Sequence, residues 1–172
     1  TSQISEILSK LKREYDRFWN SERVAKAKKA GFTQTEISTL ASIVYEESKA
    51  AQEQPVIAGV YINRLRRGMP LQADPTFVFA NNDFTIRRVL RKHLRIDSPY
   101  NTYKYKGLPP GPISVPPASV IDSVLNYRHH NYIYFCASPA FDGTHLFAAT
   151  GTEHMRNAAA YRRALNKRSI LK

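Results

Sequence analysis

The sequence predicts an α+β fold with a helical N-terminal half, a Pro-rich loop region, a small antiparallel β element and a C-terminal helix. Three observations carry that expectation. Apolar residues recur at helical spacing in four successive stretches up to Gly68. Residues 69–117 then change character and become rich in Pro, Asn, Asp and Tyr. Further on, two short apolar runs flank Asp142-Gly143, the arrangement of a hairpin.

Taken in order, the first helix runs from about Ser2 to Trp19, with Ile4, Ile7, Leu8, Leu11, Tyr15 and Phe18 on one side. A second starts after Asn20 or Ser21, both good N-caps, and stops at Gly31. Thr33-Gln-Thr-Glu36 has capping-box spacing and opens a third, whose buried stripe is Ile37, Leu40, Ala41, Ile43 and Val44. Pro55 opens a fourth at a first-turn position, carrying Val56, Ile57, Val60, Tyr61 and Leu65, and Gly68 closes it. From Met69 to Pro117 the chain reads as a long loop with one short helical pattern around Ile86 to Leu94. A helix over about Pro117 to Tyr127 has Val120, Ile121, Val124 and Leu125 inside. Strands are expected at Tyr132–Ala137 and Thr144–Ala148, and a last helix from about Thr152 to Lys167. At 172 residues the chain is long enough for one domain and short for two.

Glu47 breaks the pattern. At roughly 100° per residue it projects within about 20° of Leu40, inside the apolar stripe, while Glu46 falls on the solvent side. A buried carboxyl loses hydration as an anion, so its pKa rises and it can hold a proton near neutrality. A general acid needs that property. The pattern alone leaves a plainer reading open, a carboxylate at the core margin paired with Lys or Arg.

Composition sets bounds. The net charge of +12 implies an acidic partner or surface, or a solvated basic face. The basic residues are scattered: Arg87-Arg88, Arg91-Lys92, Arg162-Arg163 and Lys167-Arg168 cluster locally without a basic tail or a recognition motif. The aromatics concentrate in the Pro-rich stretch and the hairpin, and nucleic acid is set aside as a partner. Cys136 is alone, which excludes an internal disulfide and a multi-Cys zinc site. No run approaches the roughly 18–20 apolar residues of a membrane span, and the chain opens Thr-Ser without a secretory signal. A fragment or processed domain is expected, with any anchor upstream.

No phosphate-cradling Gly-rich loop and no hydrolase nucleophile motif is present. His129-His130 are adjacent, point differently and read as surface residues rather than zinc ligands. No metal or cofactor is expected. A long loop in a compact domain is usually functional, and amides, hydroxyls and tyrosines on proline-stiffened backbone suit carbohydrate. Two-carboxylate glycosidases need a second acid. Asp74, in the loop before Pro75, is the candidate, although an Asp-Pro-Thr turn also caps backbone. One buried acid without a dependable partner suggests a reaction in which the same residue gives and takes the proton.

Leu40-Ala-Ser-Ile-Val-Tyr-Glu-Glu-Ser48, Gly59-Val-Tyr-Ile-Asn-Arg-Leu65, Gly68-Met-Pro-Leu-Gln-Ala-Asp-Pro-Thr76, Tyr100-Asn-Thr-Tyr103, Gly107-Leu-Pro-Pro-Gly111 and Gly143-Thr-His-Leu-Phe147 occur in this order. Together they resemble the catalytic region of the YceG-like (MltG) endolytic murein transglycosylases over residues 33–168, and residues 1–32 resemble the family's helical lead-in. The resemblance implies one catalytic domain over residues 1–172, a lysozyme-like active-site arrangement, and cleavage between N-acetylmuramic acid and N-acetylglucosamine inside peptidoglycan strands. It places the family's catalytic Glu on Glu47. It further implies action at the extracytoplasmic face of a bacterial membrane, with an anchor and a LysM-like segment that this chain does not contain. Peptidoglycan glycan strands, and wall-synthesis proteins at the membrane, are the expected partners of a monomer.

The candidates for holding the sugar are Ser48, Gln72, Asp74, Asn101, Thr102 and His145 through polar atoms, and Tyr100 and Tyr103 through their rings. Asn63 joins them, or instead orients loop backbone, since it lies inside a helix. Two other readings stay open: a lysozyme-like hydrolase using Glu47 with Asp74, and a peptidoglycan-binding module without activity.

Overall fold

The computed structural model describes residues 1–86 and 90–170. Helices α1 (Ser2–Phe18), α2 (Ser21–Ala30), α3 (Gln34–Glu47) and α4 (Gln54–Arg66) follow one another as the periodicity predicts. The caps explain their limits. Asn20 accepts the Arg23 N–H at 3.0 Å, and α2 ends on Gly31 at φ 86°. Thr33 and Glu36 form the capping box, at 3.1 and 3.0 Å.

Helix α3 is central. It packs on α2, α4, α5 and α6, and Ile37, Leu40, Ala41, Ile43 and Val44 have no exposed surface. Helix α6 (Ala118–Leu125) inserts Val120 and Val124 into the same core. The Arg23 guanidinium ties α2 to α6 through Asp122, at 2.8 and 3.1 Å. By contrast α1 buries none of its residues; Ile4, Ile7, Leu8 and Leu11 face outwards.

The hairpin is shorter than the sequence suggests. Strand β1 (Tyr134–Ala137) pairs antiparallel with β2 (His145–Ala148), setting Phe135 opposite Phe147 and Ala137 opposite His145. Asp142 accepts the Thr144 N–H at 3.0 Å in the turn, and Gly143 takes φ 80°. Helix α7 (Gly151–Ile170) covers both strands. Among the described residues no helix is long and apolar enough to cross a membrane.

Two expectations are corrected. The stretch after Met69 is not only loop: α5 (Asp74–Asn81) forms in it, with Pro75 in the first turn and Phe77 fully buried. Asp74 therefore stands at a helix start rather than in a free turn. The same Asp-Pro pair that marks a turn also marks a helix N-terminus, where Pro gives up no hydrogen bond and Asp meets the positive end of the dipole. Of the helix expected around Ile86 to Leu94, residues 87–89, with Arg87-Arg88, lie outside the described residues, and the described ones hold a 3-10 turn at His93–Arg95.

His130 is the second correction. It is partly buried, donates from Nε2 to Val56 O at 2.8 Å, and accepts the Tyr132 N–H at 3.0 Å. That second bond fixes the ring with its proton on Nε2, pointing at the Val56 carbonyl. His129 is exposed as expected. The ring of His130 lies on Gly59, where the segment after α6 crosses α4; an added Cβ would stand 2.4 Å from Arg128 O and 2.6 Å from His130 Nε2.

Candidate active site

Helix α3 ends at Glu47, and Ser48 turns the chain away in an extended conformation. Glu46 is exposed, whereas Glu47 is partly buried and borders a cavity of about 330 Å³. Tyr61, from α4, donates its hydroxyl to Glu47 Oε1 at 2.7 Å. Burial pushes the Glu47 pKa up from 4.5 to about 7; the Tyr61 hydrogen bond opposes this by favouring the anion, and Asp74 nearby adds to it. Tyr61 is itself buried, and its own pKa is driven well above 10 by desolvation and by the Glu47 charge. It stays a donor.

The opposite wall comes from α5, the loop before it and the hairpin. Gln72, Asp74, Tyr103 and His145 all line the cavity with Glu47, so four of the nine residues expected to bind sugar converge here. Gln72 takes φ 51°, an uncommon conformation for a side chain-bearing residue. Tyr103 donates its hydroxyl to Asp74, and desolvation with the Asp74 charge raises the tyrosine pKa. His145 is held by Glu53, which accepts its backbone N–H at 2.8 Å and meets Nδ1 at 2.7 Å.

The other candidates line neither this cavity nor its neighbour, and their bonds say why. Asn101 is fully buried; its Nδ2 donates to Leu94 O and Ile96 O, and its Oδ1 accepts the Tyr103 N–H. Thr102 accepts the Ala73 N–H at 3.0 Å and meets the Thr76 hydroxyl at 2.8 Å. Both are occupied in placing Tyr103 and the start of α5. Tyr100 packs on Phe79, ring centroids 4.8 Å apart. The Ser48 hydroxyl accepts the Ala50 N–H at 3.1 Å. The Asn63 Nδ2 donates to His130 O at 2.8 Å and Tyr132 O at 2.9 Å, fixing the strand entry.

Sequence reasoning missed Tyr61, Arg64, Glu53, Tyr134 and His154. Tyr61 reads as an ordinary member of an apolar stripe, and its hydroxyl finds Glu47 only when α3 and α4 pack. Arg64 is buried in α4 and donates to Ile133 O at 2.7 Å and Pro70 O at 2.9 Å, clamping both rims of the cavity. His154, from α7, stacks on Tyr134 at 4.9 Å; desolvation, then Arg64, lower its pKa and favour the neutral ring.

A second hollow of about 620 Å³ adjoins the first, walled by Val78, Phe79, Phe84, Ile86 and Ile113. Glu47 and Asp74 line both. The acid thus borders both hollows.

The profile of the YceG-like family matches residues 1–160. An endolytic murein transglycosylase of Bacillus subtilis is 40% identical over 130 residues, which cover 76% of this chain and 35% of that protein. One from Streptococcus pneumoniae is 31% identical over 164 residues, covering 93% of this chain and 29% of that protein. The chain spans about a third of the length of these curated relatives. The crystal structure of a YceG-like protein from Listeria monocytogenes superposes with a TM-score of 0.72 at 34% identity, over 79% of this chain and 44% of that one. With the profile spread over nearly all of its length, and its α+β architecture shared with that structure, the chain belongs to the YceG-like family.

Proposed function

We propose that this chain is the lytic core of an endolytic murein transglycosylase. It cuts the bond between N-acetylmuramic acid and N-acetylglucosamine within peptidoglycan strands and leaves a 1,6-anhydro end. The observation that carries the reading is Glu47: an acid with pKa raised to about 7 that borders two adjoining hollows. An exolytic enzyme needs one closed end. A cut inside a strand needs sugars bound on either side of the acid.

In this mechanism protonated Glu47 donates to the glycosidic oxygen as the C1–O bond breaks towards an oxocarbenium-like state. The Glu47 carboxylate, steadied by Tyr61, then takes the proton of the C6 hydroxyl of the same muramic residue. The C6 oxygen bonds to C1, and Glu47 is protonated again without a water being consumed. Ring closure is intramolecular and outruns external nucleophiles by its effective molarity. Gln72, Asp74, Tyr103 and His145 hold the sugar. Action on peptidoglycan fits a location outside the cytoplasm, and the chain's span of about a third of its curated relatives fits a longer protein held at the membrane. Residues 1–172 serve as one catalytic domain that acts as a monomer.

The test is digestion of purified murein sacculi. Release of soluble glycan fragments is expected; sedimentation with the sacculi without release would make the chain a binding module instead. Two variants shift the pH profile in opposite directions. In Asp74→Asn the raising influence on Glu47 is lost, so the alkaline limb of activity moves to lower pH. In Tyr61→Phe the anion loses its donor, so the limb moves to higher pH. Asp74→Asn keeps activity within about tenfold, the scale of one lost hydrogen bond. An Asp74→Asn variant that folds normally yet is fully inactive would favour the two-carboxylate hydrolase.

A further inference from the structure

Glu53 has no part in the proton transfers above, yet it is a buried carboxylate beside the groove. It sits at the start of α4 with 8% of its surface exposed. Among the described residues it has no Lys or Arg partner; both oxygens are committed to His145. A carboxylate only accepts hydrogen bonds, so the proton between the two side chains belongs to Nδ1 of the imidazole. In the neutral ring Nε2 then carries the lone pair. Nε2 makes no hydrogen bond among the described residues, and it is not among the sealed buried atoms, as His154 Nδ1 is. Since Nδ1 is turned to Glu53 and His145 borders the catalytic cavity, the free edge of the ring is the one left to face it. Phe135 stands edge-on to His145 at 5.4 Å and to Tyr61 at 5.8 Å, which places the ring one aromatic layer from the donor to Glu47.

We propose that Glu53 is a positioning residue: it fixes His145 in the Nδ1–H tautomer, so that Nε2 is a hydrogen-bond acceptor for an N–H or O–H of the bound N-acetylhexosamine. The inference rests on the saccharide reading of the groove and adds the polarity of one contact. A pin between β2 and α4 alone would need the same Nδ1–H but not an open Nε2.

The tautomer can be tested directly, and two variants separate these roles. Long-range proton–nitrogen spectra of histidine-labelled protein, on the alkaline side of the ordinary imidazole range, are expected to show His145 protonated on Nδ1. In Glu53→Gln the amide oxygen still accepts the His145 N–H, while its NH2 faces Nδ1 and drives the proton to Nε2. KM for purified glycan strands then rises about tenfold, as for one contact turned from acceptor to donor, while kcat changes less. His145→Asn keeps a donor at the Nδ1 position, and with it the Glu53 contact, but removes Nε2; the same rise in KM is expected. A wild-type ring protonated on Nε2, or an unchanged KM in His145→Asn, would overturn the proposal. Loss of the broader reading looks different: the wild-type chain itself would release no fragments, whatever the tautomer.

Discussion

Replacing Glu47 by Gln is expected to lower glycan cleavage by about a thousandfold, the usual worth of a general acid that also serves as base. The amide keeps the volume and can still accept from Tyr61, but it has no carboxylic proton to give. The fold stays intact, and its stability changes with pH in a definite sense. The folded pKa of Glu47 is raised from 4.5 to about 7. Its contribution to stability is therefore full below about pH 4.5 and is lost as pH rises through 7, because the native state holds the proton more tightly than the unfolded chain. At 1.36 kcal/mol per pH unit the loss is at most roughly 3 kcal/mol, and less for a side chain open to the groove. Gln pays no such penalty. Denaturant unfolding at about pH 5 and pH 8 is expected to show the variant gaining on the wild type at the higher pH. A variant that loses stability on going from about pH 5 to pH 8, relative to wild type, would mean that Glu47 is not desolvated.

Gly59→Ala is expected to cost about 2–4 kcal/mol, although Ala outranks Gly in a helix by about 1 kcal/mol. Its Cβ would meet a backbone carbonyl, Arg128 O, at 2.4 Å, and the His130 ring at 2.6 Å. Neither can yield freely. His130 is bonded to Val56 O, and the segment beyond it is fastened by Asn63 at His130 O and Tyr132 O and by Arg64 at Ile133 O. Overpacking costs about 1–3 kcal/mol, and each displaced hydrogen bond adds about 1. The same displacement moves Ile133 to Ala137, one wall of the cavity, so activity falls with stability. Thermal unfolding checks the first effect and fragment release the second. A neutral or stabilising Ala would show that the crossing over α4 is loose.

The helical half was legible because its signals are local. Caps at Asn20, Thr33 and Glu36, apolar spacing, and glycines 31 and 68 act within a few residues of one another. The burial of Glu47 was legible for the same reason, since its angle to Leu40 follows from helix geometry alone. Helix α5 escaped because Leu71-Gln-Ala-Asp-Pro carries turn chemistry that serves equally to start a helix. The partners of the site escaped for a different reason. Tyr61 reaches Glu47 across 14 positions and Glu53 reaches His145 across 92, and no periodicity encodes pairings that exist only after packing. Asn101 and Thr102 show the converse: polar residues in a functional loop are as readily spent on holding the loop as on touching a ligand.

The most direct test of a single acid acting twice is the mass of what is released. Muropeptide fragments from sacculi digested by the wild-type chain, analysed by mass spectrometry, are expected to end in 1,6-anhydro-N-acetylmuramic acid, one water lighter than a reducing end. Fragments carrying the added water, with an ordinary reducing end, would contradict the account and give the groove to a hydrolase.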